Sequence, residues 1–273
     1  MNGKHNWTAQ CAIAALALLF ALPLTLLILS SFKPAAELRS DPFRLVPHRW
    51  ATENYPMVLR ETPFRRQLAN TLWLCLGTTI GSVFSCSLVA YGFSKVKWRA
   101  RKALFALLIA TMLLPWQVTI IPRFLFVREI GLHNSLAALI LPTFLGDAFF
   151  IFLLRQFMIR IPEELSEAGR LDGLSEWGLY RHIVLPLSLP ALGAVAVFQF
   201  VASWNDFGGP MLYLSDSDKF PLAYGLEQFV SSYSDQTHLL LAATVLFALP
   251  LVVFVLCFQR LLGRGIATTG LKG

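Results

Sequence analysis

Residues able to do chemistry are few in this sequence, and they seldom lie close together. His5, His48, His133, His182 and His238 are scattered, with no spacing that would gather a metal ion and no nucleophile beside any of them. Cys11, Cys75, Cys86 and Cys257 all fall in apolar stretches without a C-x-x-C pair, so they read as small buried side chains and not as disulfides or metal ligands. No G-x-x-x-x-G-K-[ST] run occurs, so no loop of this sequence is built to cradle nucleotide phosphates. The expected catalytic and metal sets are therefore both none. The polar groups that stand out are of two kinds. Gln117, Asp147 and Gln199 are isolated in apolar surroundings. Residues 161–186, I-P-E-E-L-S-E-A-G-R-L-D-G-L-S-E-W-G-L-Y-R-H-I-V-L-P, form a charged interruption whose carboxylates suit ion pairing with a partner.

The interruption is predicted to be a helix–turn–helix. Pro162 suits a first helical turn, and Glu163, Glu164 and Glu167 favour the positive end of the macrodipole. Leu165, Ala168 and either Gly169 or Asp172 share one face. Asp172-Gly173 is a stop, because glycine accepts the left-handed conformation at a helix end. Ser175 then caps a second short helix with Trp177, Tyr180 and Val184 on one side. Neither helix is long or apolar enough to span a bilayer.

What surrounds this pair is made for lipid. The 273 residues are 56% hydrophobic and 14% charged, against roughly 25% charged in soluble domains. Mean hydropathy is +0.59. Apolar blocks predict six transmembrane helices at about 9–31, 70–94, 103–126, 136–158, 186–206 and 238–260, an all-α polytopic membrane protein. The first block is too long for a signal-peptide core and is read as a retained span. The net charge of +7 does not indicate nucleic acid, since the basic residues flank apolar blocks. Lys95, Lys97, Arg99, Arg101 and Lys102 crowd one short loop, which places that loop, both termini and residues 161–186 in the cytoplasm. Gly77, Gly81 and Ser85 form a small-xxx-small row that suits close helix packing. Pro115 and Pro122 in one span point to a broken helix, either beside a pathway or as a structural kink.

The interruption also matches a known signature. Glu167-Ala168-Gly169, three residues, Gly173, nine residues, then Ile183-x-Leu185-Pro186 resembles E-A-A-x3-G-x9-I-x-L-P of the membrane subunits of binding-protein-dependent ABC importers, with Gly169 where that family usually has alanine. The resemblance covers nearly the whole chain. Ser30-Ser31-Phe32-Lys33-Pro34, Leu68–Thr71, Ala90-Tyr91-Gly92-Phe93, Pro115-x-Gln117 with Ile121-Pro122, Ile151–Phe157, Trp204-Asn205-Asp206 and a closing Gln259-Arg260…Gly265…Gly270-Leu271-Lys272-Gly273 are similar to the carbohydrate-uptake permeases of the maltose type, in particular the smaller six-span half.

That resemblance implies a type I ABC importer permease fold: a first helix and long external loop at 1–67, a permease core at 68–260 with a cytoplasmic coupling loop at 160–185, and a cytoplasmic tail at 261–273. It implies a non-enzymatic subunit in a bacterial inner membrane, forming part of the path for a sugar or polyol. The implied partners are a second permease, two ATP-binding subunits that hold ATP and Mg, and an extracytoplasmic solute-binding protein. Glu163, Glu167, Ala168, Gly169, Asp172, Gly173, Ile183 and Pro186 are then the expected coupling residues toward the ATPase. Gln117, Asp147, Gln199 and Asn205 are candidates for the substrate path, with a hydrogen bond between helices as the favoured other use of Gln117 and Gln199. Asp147 admits a sugar-hydroxyl contact or a hydrogen bond between spans, and Asn205 admits gating or helix termination. Tyr213, Phe220, Tyr224, Phe229 and Tyr233 could touch the binding protein or anchor at the interface. The rival class is an ion-coupled transporter or channel, which usually exposes more acidic residues at the midplane.

Overall fold

The computed structural model describes residues 7–232 and 236–270. His5, Tyr233 and the closing Leu271-Lys272-Gly273 lie outside them. Among the described residues there are helices and turns and no strand. The order is α1 (Trp7–Ser31), α2 (Ala35–Ser40), α3 (Asn54–Glu61), α4 (Phe64–Ser94), α5 (Arg101–Thr111) and α6 (Trp116–Glu129). Next come α7 (Ala137–Ile140), a 3-10 turn Leu141–Leu145, and α8 (Ala148–Met158). The charged interruption supplies α9 (Glu163–Leu171), α10 (Glu176–Leu179), a π-helical turn Tyr180–Val184 and α11 (Leu185–Leu187). Then follow α12 (Leu189–Trp204), α13 (Gly208–Tyr213), a 3-10 turn Ser217–Lys219, α14 (Leu222–Ser232) and α15 (Thr237–Gly270).

Four stretches are long and apolar enough to cross a membrane: Gln10–Ser31, Phe64–Ser94, Ala137–Met158 and Thr237–Gln259. The count reaches six if two bent pairs are each one span: Arg101–Thr111 with Trp116–Glu129, bent by 98°, and Glu176–Leu187 with Leu189–Trp204, bent by 76°. The first bend falls just before Pro115, which is extended (φ −63°, ψ 141°) and removes the amide that would continue α5. Pro122 is absorbed inside α6 without a break, so one proline and not two divides this span. Among the unbroken spans, two boundaries differ most from the sequence reading. Helix α4 begins six residues earlier, at Phe64, and α15 runs on to Gly270 through most of the expected tail.

The chain forms two compact units. In one, residues up to Arg65 cluster with Gly225–Pro250. Its core is Val58, Phe229, Leu239, Ala242 and Ala243. The turn after α1 is knotted by polar bonds: Asn54 Nδ2 donates to the carbonyls of Ser31 (2.8 Å) and Lys33 (3.0 Å), and Phe32 packs on Trp50 and Tyr55. Lys33, fully buried, donates to the Pro42 carbonyl at 3.1 Å. The apolar window of α1 buries none of itself within this chain, which costs nothing when the surroundings are lipid tails.

The second unit, Arg66–Tyr224 with Leu251–Gly273, holds the larger core. Cys86, Ala90, Tyr91 and Phe93 of α4 pack with Phe150, Ile151, Leu154 and Met158 of α8 and with Ala191, Leu192 and Val195 of α12. The small-residue row of α4 serves close packing. A Cβ on Gly77 would meet Ile140 at 2.9 Å, and one on Gly81 would collide with Thr143 and Phe144. Ser85 Oγ bonds the Thr143 carbonyl at 2.9 Å, so the row lies against the 3-10 turn.

Candidate functional site

The charged interruption is a closed structural motif. Helix α9 ends in a Schellman pattern: the Leu174 amide bonds the Gly169 carbonyl (2.9 Å) and the Gly173 amide bonds the Arg170 carbonyl (3.1 Å). Gly173 sits at φ +83° with open space around its α-carbon, so backbone conformation alone selects glycine there. Ser175 Oγ accepts from the Gly178 amide at 3.3 Å and caps α10. Pro162 stands one residue before α9 at ψ 136°, where its missing amide is still harmless.

Two faces of this helix pair are distinct. Ser166, Gly169 and Leu179 are buried, with Gly169 facing Leu179 across the pair. A Cβ on Gly169 would meet Leu179 Cδ2 at 2.6 Å and Ile183 Cδ1 at 2.7 Å, so the glycine that departs from the motif permits a closer seat. Leu165, Ala168, Leu171 and Asp172 point outward; Leu171 is 89% exposed and Trp177 56% exposed. The predicted face of Leu165, Ala168 and Asp172 is thus the outer one, and Gly169 belongs to the inner one. Glu167 lies on the outer side with no ion-pair partner among the described residues. Glu163, by contrast, is engaged inside the chain, 3.5 Å from Lys95 Nζ and 3.9 Å from Arg170. Pro186, exposed, cannot donate back along the helix, and the widened π-helical turn ends two residues before it, at Val184.

The polar candidates at depth are each tied to their own surroundings. Asp147 follows Gly146 (φ +93°, ψ 153°) at a break in the Ala137–Met158 stretch, and its Oδ1 accepts from the Phe149 (2.9 Å) and Phe150 (3.1 Å) amides. It caps α8, a role absent from the two that the sequence reading weighed. Gln199 accepts from Ser82 Oγ (3.1 Å) and donates to Ser203 Oγ (2.9 Å), tying α12 to α4. Asn205 ends α12 and donates to the Val201 carbonyl at 2.8 Å. Gln117 is exposed near the start of α6. After α12, Tyr213 stacks on Phe124 (6.4 Å), and Phe220 and Tyr224 lie together at 4.4 Å. The Tyr213 hydroxyl is pushed up from its usual range, chiefly by burial. Phe229 lies in the other unit's core.

Residues the sequence reading passed over hold the helix pair in place. Lys95, read as one of five loop cations, is 4% exposed and donates to the Ile161 carbonyl at 2.6 Å. Arg170 reaches Glu176 at 3.1 Å, the Tyr91 hydroxyl donates to Glu176 Oε2 at 2.6 Å, and Ser87 bonds Tyr180 at 2.8 Å. Their signal was a polar i, i+4, i+8 series, Ser87–Tyr91–Lys95, at one end of an apolar helix. Among the described residues no three His, Cys, Asp or Glu side chains converge as a metal site.

Comparison with known proteins places this architecture. The family described as binding-protein-dependent transport system inner membrane component matches residues 77–268. The arabinooligosaccharides transport system permease protein of Halalkalibacterium halodurans is 30% identical over 98% of this chain and 97% of its own length. The polygalacturonan/rhamnogalacturonan transport system permease protein of Bacillus subtilis is 36% identical over 78% and 74%, and the diacetylchitobiose uptake system permease protein of Streptomyces coelicolor 29% over 88% and 80%. Among solved structures, a bacterial ABC transporter involved in the import of alginate shares the fold at a TM-score of 0.80, with 23% identity over 95% of this chain and 98% of that one. With most of its length matched by the family and by relatives at this level, the chain belongs to the inner membrane components of binding-protein-dependent transport systems.

Proposed function

We propose that this chain is one permease half of an ATP-driven importer that carries an oligosaccharide across a bacterial cytoplasmic membrane. As a permease it is a non-enzymatic component. Its partners are a second permease, two ATP-binding subunits holding ATP and Mg, and an extracytoplasmic binding protein that delivers the cargo. The observation that carries the reading is the helix pair α9–α10, which projects Leu171, Trp177 and Glu167 outward while its inner face is locked to the rest of its unit. Such a surface suits a helix seated in a partner's groove, with apolar anchors and a charged flank. Both termini and this pair lie on the cytoplasmic side, where Lys95, Lys97, Arg99, Arg101 and Lys102 also gather. The oligosaccharide class is supported by the relatives, which are named for arabinooligosaccharides, polygalacturonan/rhamnogalacturonan and diacetylchitobiose.

Within this reading Glu167, Ala168, Asp172 and Gly173 shape the docking side, while Glu163, Gly169, Ile183 and Pro186 hold the pair in place. Gln117, Asp147, Gln199 and Asn205 border the path. Tyr213, Phe220 and Tyr224 face the binding protein from the segment that follows α12. The linear division into an entry region 1–67, a core 68–260 and a tail 261–273 belongs to the same reading, with α4 and α15 each running across one of its boundaries.

The test is uptake by the complete complex in proteoliposomes, with labelled arabino-, galacturono- and chito-oligosaccharides offered through the binding protein. Import that requires ATP and survives a protonophore is the expected result. Import abolished by the protonophore at constant ATP supports an ion-coupled carrier instead, and import of none of these glycans removes the oligosaccharide reading.

A further inference from the structure

The helix pair α9–α10 is contiguous in sequence with α8 and α12, so those two helices are the obvious recipients of any pull on it. The side chains describe a third recipient. Ser87, Tyr91 and Lys95 recur every four residues and therefore line one face of the cytoplasmic end of α4. Lys95 lies just past the last helical residue, yet its amide still bonds the Tyr91 carbonyl at 2.9 Å, so the face continues to it. Each of the three reaches a different point of the pair. Lys95 bonds the Ile161 carbonyl ahead of α9 (2.6 Å) and lies 3.5 Å from Glu163 in its first turn. Tyr91 donates to Glu176 in the first turn of α10 (2.6 Å). Ser87 bonds Tyr180 in the π-helical turn (2.8 Å), and the Tyr91 and Tyr180 rings meet edge to face at 5.4 Å. Arg170 closes the circuit between Glu163 and Glu176.

The placement of these groups separates them from ordinary surface pairs. Lys95 and Ser87 are 4% and 1% exposed, and the Ser87–Tyr180 bond is buried. Buried polar groups that lose their partners are penalised far more than exposed ones, so the contacts resist being pulled apart. Back toward its N-terminus from Ser87, α4 carries Ser85, Gly81 and Gly77 against Ile140, Thr143 and Phe144, beside the break at Gly146–Asp147. One helix therefore joins the docking pair to the break within the membrane.

We propose that Ser87, Tyr91 and Lys95 are positioning residues that hand the displacement of α9–α10 to α4, which conveys it to the Leu141–Asp147 break. The inference rests on the reading of α9–α10 as the ATPase docking element. Without the stripe, ATP would be hydrolysed while α4 lagged behind the pair.

The experiment uses the complete importer in proteoliposomes with the glycan panel described above, and reads molecules imported per ATP hydrolysed. Tyr91→Phe keeps the ring and removes one hydrogen bond; Lys95→Met keeps the apolar stem and removes the charge. Each is expected to lower the ratio about fivefold, the scale of one lost buried hydrogen bond. Lys95→Arg, which can still donate to the Ile161 carbonyl, is expected to stay within about twofold of wild type. Should Lys95→Met fail to assemble, Ser87→Ala removes a single hydroxyl and gives the same measurement. A parallel fall of import and hydrolysis, with the ratio unchanged, makes the stripe structural only and overturns the proposal. So does an unchanged ratio with unchanged rates. A wild-type complex that shows no ATP-dependent import overturns the functional reading instead, which keeps the two failures apart.

Discussion

Gly173 and Gly146 both end a helix with a positive φ, yet the two breaks are built for different surroundings. Gly173 (φ +83°) completes a Schellman turn whose carbonyls are met by backbone amides, in an exposed segment with open space around it. Gly146 adopts φ +93° and ψ 153°, a region open to little but glycine, with Ile151 Cδ1 3.1 Å from where a Cβ would stand. The amides freed after it are met by the Asp147 carboxylate. Where water is present a helix can stop on backbone bonds alone. Inside lipid, the freed donors need a partner from the protein, and a charged side chain supplies it.

The largest expected effect is at the membrane break. Gly146→Ala forces a side chain into a glycine-only conformation and should destabilise the assembled complex by about 2–3 kcal/mol, seen as a lowered thermal midpoint in detergent. A midpoint equal to wild type would show that this break relaxes as easily as an exposed turn. Next, Asp147→Ala should cost about 2 kcal/mol through loss of the cap, whereas Asp147→Asn, which keeps an acceptor, should cost little. Equal losses in both would mean that the negative charge matters and not the cap. Gly173→Ala should cost about 1 kcal/mol for the left-handed conformation. The branched Gly173→Val should leave the protein inserted and assembled but cut uptake by about tenfold or more, since a shift in this turn moves the docking face. Wild-type uptake by the valine variant would erase the functional half of the contrast. The smallest effect is expected at Gly169→Ala. The clash is with the flexible ends of Leu179 and Ile183, and alanine regains about 1 kcal/mol of helix propensity, so the midpoint should move by under about 0.5 kcal/mol equivalent.

The exposed turn was legible because local chemistry makes it. Asp-Gly stops a helix and Ser caps the next one, whatever lies nearby. The break at Gly146–Asp147 was hidden because 136–158 reads as one apolar run, and hydropathy records lipid compatibility without recording continuity of the helix. Pro115 and Pro122 look alike in sequence, but only the first stands at a bend, a distinction set by tertiary packing. The burial of Lys95 was hidden for a similar reason. A cation after an apolar helix ordinarily snorkels to water, and only the approach of Ile161 and Glu163 makes burial affordable. The all-α membrane fold was therefore readable from composition, and the docking pair from motif and capping. The fastening of that pair required the three-dimensional chain.

The bonds of Gln199 have a kinematic consequence. Gln199 and Ser203 on α12 engage Ser82 and Thr78 on α4, with Thr78 Oγ1 2.8 Å from Ser203 Oγ, and Cys75 Sγ reaches the Phe200 carbonyl at 3.7 Å. Sliding one helix by a single residue would unmake every one of these contacts at once, at about 0.6 kcal/mol or more for each. The two helices consequently keep one register at this end, away from the end of α4 where Ser87, Tyr91 and Lys95 hold the helix pair.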